Sequence, residues 1–187
     1  MNKIFKLKII TLIILILQSS ITFAAVSGFV DSKQVTQRRP MGVAFNLDGT
    51  KMFVVGTVEN KIFEFDLTTG FDVSTATKNS NVCNFLGQAS DVVDIEFNSD
   101  GTKLFLVDQD QGDDDEHAVD EFSLSTAYDV STCTHVEEHY TDDFKLVGIE
   151  FNPGGTKLFI YDMTGTDSIK QYSLNSPYNL SNPTLQK

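Results

Sequence analysis

Apolar and polar residues alternate along most of the chain with a period of two. Val43 and Phe45, Ile95 and Phe97, and Ile149 and Phe151 each alternate with their neighbours, which is the pattern of a pleated ribbon with two distinct faces. Further ribbons are predicted at Lys51–Val55, Lys103–Val107 and Lys157–Tyr161, and again at Lys61–Leu67, Val119–Leu124 and Ile169–Leu174. Between the first and second ribbon of each set stands Asp48-Gly49 or Asp100-Gly101. An Asx residue followed by a glycine able to take φ > 0 suits a tight hairpin with a bulge, and Gly154-Gly155 is compatible with the same turn. The segments FDVSTAT, YDVSTCT and YNLSNPT then read as turns leading to a fourth ribbon, at Asn81–Leu86 and His135–Tyr140 in the first two sets. Beyond residue 24 no ten-residue stretch has helical spacing.

These sets are copies of one unit. Phe45/Phe97/Phe151, Asn46/Asn98/Asn152, Gly49/Gly101/Gly155, Thr50/Thr102/Thr156, Lys51/Lys103/Lys157 and Phe53/Phe105/Phe159 coincide, spaced 52 and then 54 residues apart. Downstream, Leu67/Leu124/Leu174, the aromatics Phe71/Tyr128/Tyr178, Asp72/Asp129/Asn179 and Ser74/Ser131/Ser181 match as well. A period of that length points to a solenoid, propeller or array, and four antiparallel strands per copy make a β-propeller blade. The predicted fold is therefore all-β, a partial propeller of three four-stranded blades without helices.

The core F-N-x-D-G-T-K-[ML]-F-[VL], followed by I-x-E-F-D-L in the first copy, resembles the secreted bacterial propeller repeats of the YVTN and WD-repeat-like superfamily. The resemblance extends over residues 25–187. It departs in having no Trp-Asp dipeptide and no Gly-His pair, so the binding surface of true WD repeats is not implied. Fold is what such a motif implies, and function must come from a site.

The ends and the charge refine this picture. Lys3, Lys6 and Lys8 precede an apolar run from Ile9 to Leu17, and Thr22-Phe23-Ala24 follows with small residues suited to cleavage, so residues 1–24 read as an export signal. The apolar run is well short of the ~20 residues that span a bilayer. The product is expected in the periplasm or outside the cell, off the membrane. Residues 25–187 form one domain: a lone outer strand at 25–40, blades at 41–88 and 89–142, and a last blade at 143–187 that lacks its outer strand. That offset predicts self-association head to tail, each leading strand completing the partner's last blade and two copies closing a ring. A fragment of a larger propeller is the other reading. The net charge is −12, and losing the three leader lysines makes the remainder more acidic still, which speaks against nucleic-acid partners and favours cations or basic ones.

Cys83 and Cys133 fall near opposite ends of outer strands in neighbouring blades. Export permits a bridge, but the spacing favours two separate, partly buried thiols. Candidate chemistry is carried by acids. The loop from Asp108 to Ala118 crowds six carboxylates, and Asp108, Asp110, Asp113 and Asp115 are candidate Ca²⁺ ligands, although Gly112 falls where a loop of the EF type needs an oxygen. A solvated acidic loop is the alternative. Asp94, Glu96 and Glu150 are candidate channel-lining groups, with ion pairs to Lys103 and Lys157 as the plainer role for the two glutamates. His135 and His139, four apart on one strand, are expected on one face but too far apart for one metal. The chain contains no H-E-x-x-H or Gly-rich phosphate loop, and no Ser-His-Asp set is evident. A binding or scaffolding module for a protein, glycan or cation is the leading expectation. A metal-assisted lactonase or hydrolase of the propeller type is the alternative.

Overall fold

The computed structural model describes residues 30–109, 117–141, 145–163, 167–181 and 184–185. The expected export signal and the Gly28-Phe29 part of the leading strand lie outside them. Described strands run β1 (Pro40–Phe45), β2 (Lys51–Gly56), β3 (Lys61–Leu67), β4 (Ala76–Asn84), β5 (Val92–Phe97), β6 (Lys103–Asp108), β7 (His117–Leu124), β8 (Cys133–Thr141), β9 (Leu146–Phe151), β10 (Lys157–Asp162), β11 (Ser168–Ser173) and β12 (Thr184–Leu185). They form three antiparallel four-stranded sheets in simple meander order: β1-β2-β3-β4, β5-β6-β7-β8 and β9-β10-β11-β12. Two differences from the sequence reading stand out. The third sheet has a fourth strand, two residues long, where three strands were expected. Residues 32–39, inside the expected leading strand at 25–40, form no strand, and Pro40 opens the first inner strand instead.

The repeated residues are there to build hairpins and caps. Asn46, Asn98 and Asn152 each accept the backbone N–H of the lysine five residues on, at 2.8–2.9 Å. Asp48 and Asp100 accept both the N–H and the hydroxyl of Thr50 and Thr102. Those threonine bonds hold both carboxyls below their usual range. In the third copy Gly154 replaces the aspartate, and Asn152 takes over Thr156 N–H at 2.8 Å. Gly49, Gly101 and Gly155 have φ of +71°, +72° and +63°, and the rings of Phe71, Tyr128 and Tyr178 lie so close that a Cβ would collide with them. The D-x-S of the following turn is a second cap: Asp72, Asp129 and Asn179 accept the N–H of Ser74, Ser131 and Ser181.

Because side chains alternate along a strand, each sheet offers one apolar face to the sheet before it and one to the sheet after it. Phe53, Val55 and Ile62 of the first sheet pack on Ile95, Phe97, Leu104 and Leu106 of the second. Phe105, Val107 and Val119 pack in turn on Ile149, Phe151, Leu158 and Ile160 of the third. Aromatic pairs mark both seams, Phe53–Phe97 at 4.6 Å and Phe105–Phe151 at 4.8 Å between ring centres.

Polar hooks cross the same seams. Glu64 on β3, fully buried, accepts from Lys51, from Asn79 at 2.9 Å and, across the seam, from the N–H of Val130 in the next sheet's turn at 3.2 Å. Lys103 in the second sheet pairs with Glu121 at 2.7 Å and donates to the Tyr178 carbonyl of the third sheet's turn at 3.1 Å. That seating of one turn on the preceding sheet carries Cys133 to Cys83. The two form a disulfide with Cα atoms 5.8 Å apart, which corrects the expectation of separate thiols. Opposite ends of neighbouring outer strands meet because the turn Val130–Thr132, just ahead of Cys133, packs over β3 and β4.

Candidate functional site

The inner strands β1, β5 and β9 lie side by side. One repeat position on them reads Gly42, Asp94, Gly148, and the next position on the same face reads Ala44, Glu96, Glu150. Asp94 ties two sheets together: Oδ1 accepts the Ile95 N–H at 2.9 Å and Oδ2 the Ile149 N–H of the neighbouring sheet at 3.1 Å. A glycine at 148 keeps that approach open, since a Cβ there would stand 3.0 Å from Asp94 Oδ2. Burial raises the Asp94 carboxyl, and the two N–H groups pull against that rise.

Glu96 and Glu150 face an open groove of about 500 Å³ at the hairpin end of the inner strands, lined also by Leu47, Asn98, Tyr128 and Tyr178. Neither lysine expected to neutralise them does so: Lys103 turns to Glu121, across the sheet from β5, and no ion pair joins Lys157 to Glu150 among the described residues. Glu121 is the stronger partner because it is more deeply buried, so a missing cation would cost more there. Among the described residues no cation pairs with Glu96, and its carboxyl is pushed up to about 7 by burial first, then by the charges of Glu150 and Asp94. Near neutrality it therefore exchanges a proton readily, and any cation entering the groove would meet two carboxylates.

The acidic loop divides differently. Asp108 ends β6 and is buried, its Oδ2 accepting the Ser90 N–H at 2.8 Å and its Oδ1 the Asp91 N–H at 2.9 Å. That is how a carboxylate anchors the loop entering β5, and Asp108 is no part of the groove. Asp110, Asp113 and Asp115 lie outside the described residues. Among the described residues no three His, Cys, Asp or Glu side chains are grouped to hold a metal.

A second buried acidic position was not visible from the sequence. Asp120 on β7 is fully buried, with Oδ1 2.9 Å from His135 Nε2, and burial together with Glu138 and Asp108 pushes its carboxyl up to about 8. His139 stands by Glu121, 3.6 Å from Oε2. His135 and His139 thus face opposite sides of the sheet, contrary to the expectation from their spacing. A β-bulge explains it: Phe122 pairs with His135 and Glu121 with Glu137, leaving Val136 as the extra residue that reverses the alternation.

No protein-family model matches the chain, and no curated protein is similar to it in sequence. Solved structures do match its fold. A 6-phosphogluconolactonase candidate of Bacteroides fragilis superposes with a TM-score of 0.57 at 17% identity, over 79% of this chain and 38% of that one. The periplasmic gluconolactonase PpgL of Pseudomonas aeruginosa gives 0.54 at 14%, over 79% and 39%. A chain of the nidogen/laminin complex gives 0.50 at 16%, over 78% and 47%. The three sheets are propeller blades. At these identities the likeness shows the fold alone, and the chain spans roughly two fifths to one half of the length of the structures it matches.

Proposed function

We propose that this chain is an exported propeller-type binding module whose ligand sits in the groove at the inner strands. The observation that carries the reading is the treatment of its acids. Glu64, Glu121, Asp94 and Asp108 are each held by a cation or by backbone N–H groups. Glu96 and Glu150, at matched places in two repeats, share a groove with no counter-charge among the described residues. A ligand that offers a cation, or several hydroxyl donors, meets that demand, as a basic peptide segment, a polyamine or a glycan does. The acidity of the whole chain would draw cationic ligands toward it, more strongly at low salt.

Calorimetric titration with a simple diamine probe tests the cationic form of the reading. Affinity is expected to rise between pH 6 and pH 8 as Glu96 ionises, and to fall about tenfold in Glu96→Gln and in Glu150→Gln, the loss of one charged hydrogen bond. Binding that ignores both substitutions would place the ligand elsewhere.

Lactone hydrolysis is a second reading, favoured by one feature of the same groove. A carboxyl held near 7 can both take and return a proton at neutral pH. Turnover of a δ-lactone abolished by Glu96→Gln would promote this reading over simple binding.

A further inference from the structure

We propose that the two outer faces of the three-blade unit are the halves of one more blade-to-blade seam, and that a second copy of this chain, placed head to tail, closes it. The inference goes beyond the groove and does not depend on what binds there.

The repeat itself shows what each face accepts. In both internal seams the giving blade presents three apolar residues, Phe53, Val55 and Ile62 or Phe105, Val107 and Val119, all at 0–1% exposure. The same positions in the last blade are Phe159, Tyr161 and Ile169, with Tyr161 at 39% and Ile169 at 64%. The receiving blade presents an inner-strand residue and an aromatic turn. Ile95 and Ile149 are 2–3% exposed and Tyr178 is 8% exposed, whereas Val43 and Phe71 in the first blade are at 56% and 62%. The first blade's face also has an open cleft of about 300 Å³ lined by Val35, Met41, Val43, Met52, Val54 and Val73, room for a side chain such as Tyr161. Deeper on that face Met52, Val54, Phe65 and Leu67 are already 2–5% exposed, with Val35 packed against them, so the open part of the first blade's half-seam is Val43, Phe71 and this cleft.

The hooks complement each other as well. Lys103 reaches the Tyr178 carbonyl, and Glu64 receives the Val130 N–H. By the repeat alignment, Lys157 corresponds to Lys103 and would reach the Phe71 carbonyl of the second copy. Gln171 corresponds to Glu64, and its amide oxygen can accept the Val73 N–H. With glutamine in place of glutamate, Lys157 has no carboxylate at that position, and its charge suits the Asp72 cap of the incoming turn.

Size and closure agree. Four strands at ~4.8 Å spacing and ~18 Å length give about 350 Å² for a bare face, so two faces offer at most about 700 Å², just under the ~800 Å² per partner of a standard stable interface. A head-to-tail contact is heterologous and ends growth only if the rotation closes. Two three-blade copies make six blades, within the range of about four to eight known for closed propellers.

Sedimentation equilibrium of the full chain at micromolar concentration is the test. The expected mass is twice that of the chain and does not grow with concentration. Ile169→Asp and Phe71→Asp each damage both seams of a homodimer, so each alone is expected as a folded monomer by circular dichroism. An equimolar mixture of the two has one intact seam and is expected to recover dimer. The milder Gln171→Ala should fold in any case and raise the dissociation constant several-fold. A parent chain that stays monomeric, a mass that climbs steadily with concentration, or dissociation by only one of the two aspartate variants would overturn the proposal.

Discussion

Ile62 and Ile169 occupy one place in the repeat and live in opposite surroundings. Ile62 sits in the seam between the first and second blades with no exposed surface, beside a disulfide and the Glu64 hook. Ile169, in the last blade, is 64% exposed and flanked by Tyr161 and Met163, also exposed. Both are isoleucine, in the segments KIFEFDL and SIKQYSL, and the register of the hairpin is the same. What differs is the neighbour. Burial in a serial fold is a property of the seam and not of the strand, which is how repeat proteins distribute stability between units and interfaces.

The contrast can be broken by substitution. Phe105→Ala empties a seam and is expected to cost about 3–5 kcal/mol in urea denaturation. Phe159→Ala, its counterpart at the open end, should cost a single copy less, about 1–3 kcal/mol, because that side chain is only partly buried. Equal losses would mean the two faces are equally packed. The hooks should divide in the same way. Glu64→Ala leaves the partly exposed Lys51 with only Asp66, 3.7 Å away, and removes the acceptor of Val130 N–H, for an expected loss of about 1–3 kcal/mol. Gln171→Ala should change the stability of a single copy by no more than about 0.5 kcal/mol.

The disulfide sharpens the same comparison, since among the described residues it ties only the first seam. Replacing Cys83 and Cys133 together by alanine is expected to lower stability by about 2–5 kcal/mol. Hydrogen exchange should then rise first in β3, β4 and the turn Val130–Thr132, with β9 to β11 changing least.

Acid–base linkage adds an effect that depends on pH. Asp120 and Glu96 both have folded-state carboxyls raised above their ordinary values, to about 8 and about 7. Each therefore favours the folded state most below the ordinary carboxyl range, and that advantage is lost as pH rises to 8 and 7 respectively. Asp120→Asn should accordingly gain stability relative to the parent between pH 5 and pH 8, on the order of 2 kcal/mol. A variant that instead loses ground as the pH rises would show that Asp120 is charged and satisfied in the folded protein.

Much of the blade could be read from the chain, because its signals are local. Alternation at Val43/Phe45, Ile95/Phe97 and Ile149/Phe151 placed the inner strands, and Asp48-Gly49 and its copies placed the hairpins. The predicted Lys61–Leu67 strand coincides with β3. What could not be read depends on how blades sit against one another. The disulfide follows from the docking of the Val130 turn, and no spacing rule contains that distance. The opposite faces of His135 and His139 follow from one extra residue in a bulge. At the candidate site, matched positions singled out Glu96 and Glu150, yet the choice of Lys103 between Glu96 and Glu121, which flank Phe105 on one face of the sheet, was decided by burial. A signal for it existed: Glu64 and Glu121 are matched in the repeat, as Lys51 and Lys103 are, and two matched pairs of opposite charge mark a built ion pair.

Mixed-cysteine trapping tests most directly whether the outer faces are complementary halves of one seam. One preparation has Gln171→Cys and the other Val73→Cys, and the two are combined under mild oxidation. The account predicts a covalent dimer in the mixture, joining one variant to the other, with little self-crosslinking by either alone. Efficient crosslinking of either variant to itself, or none in the mixture, would contradict it.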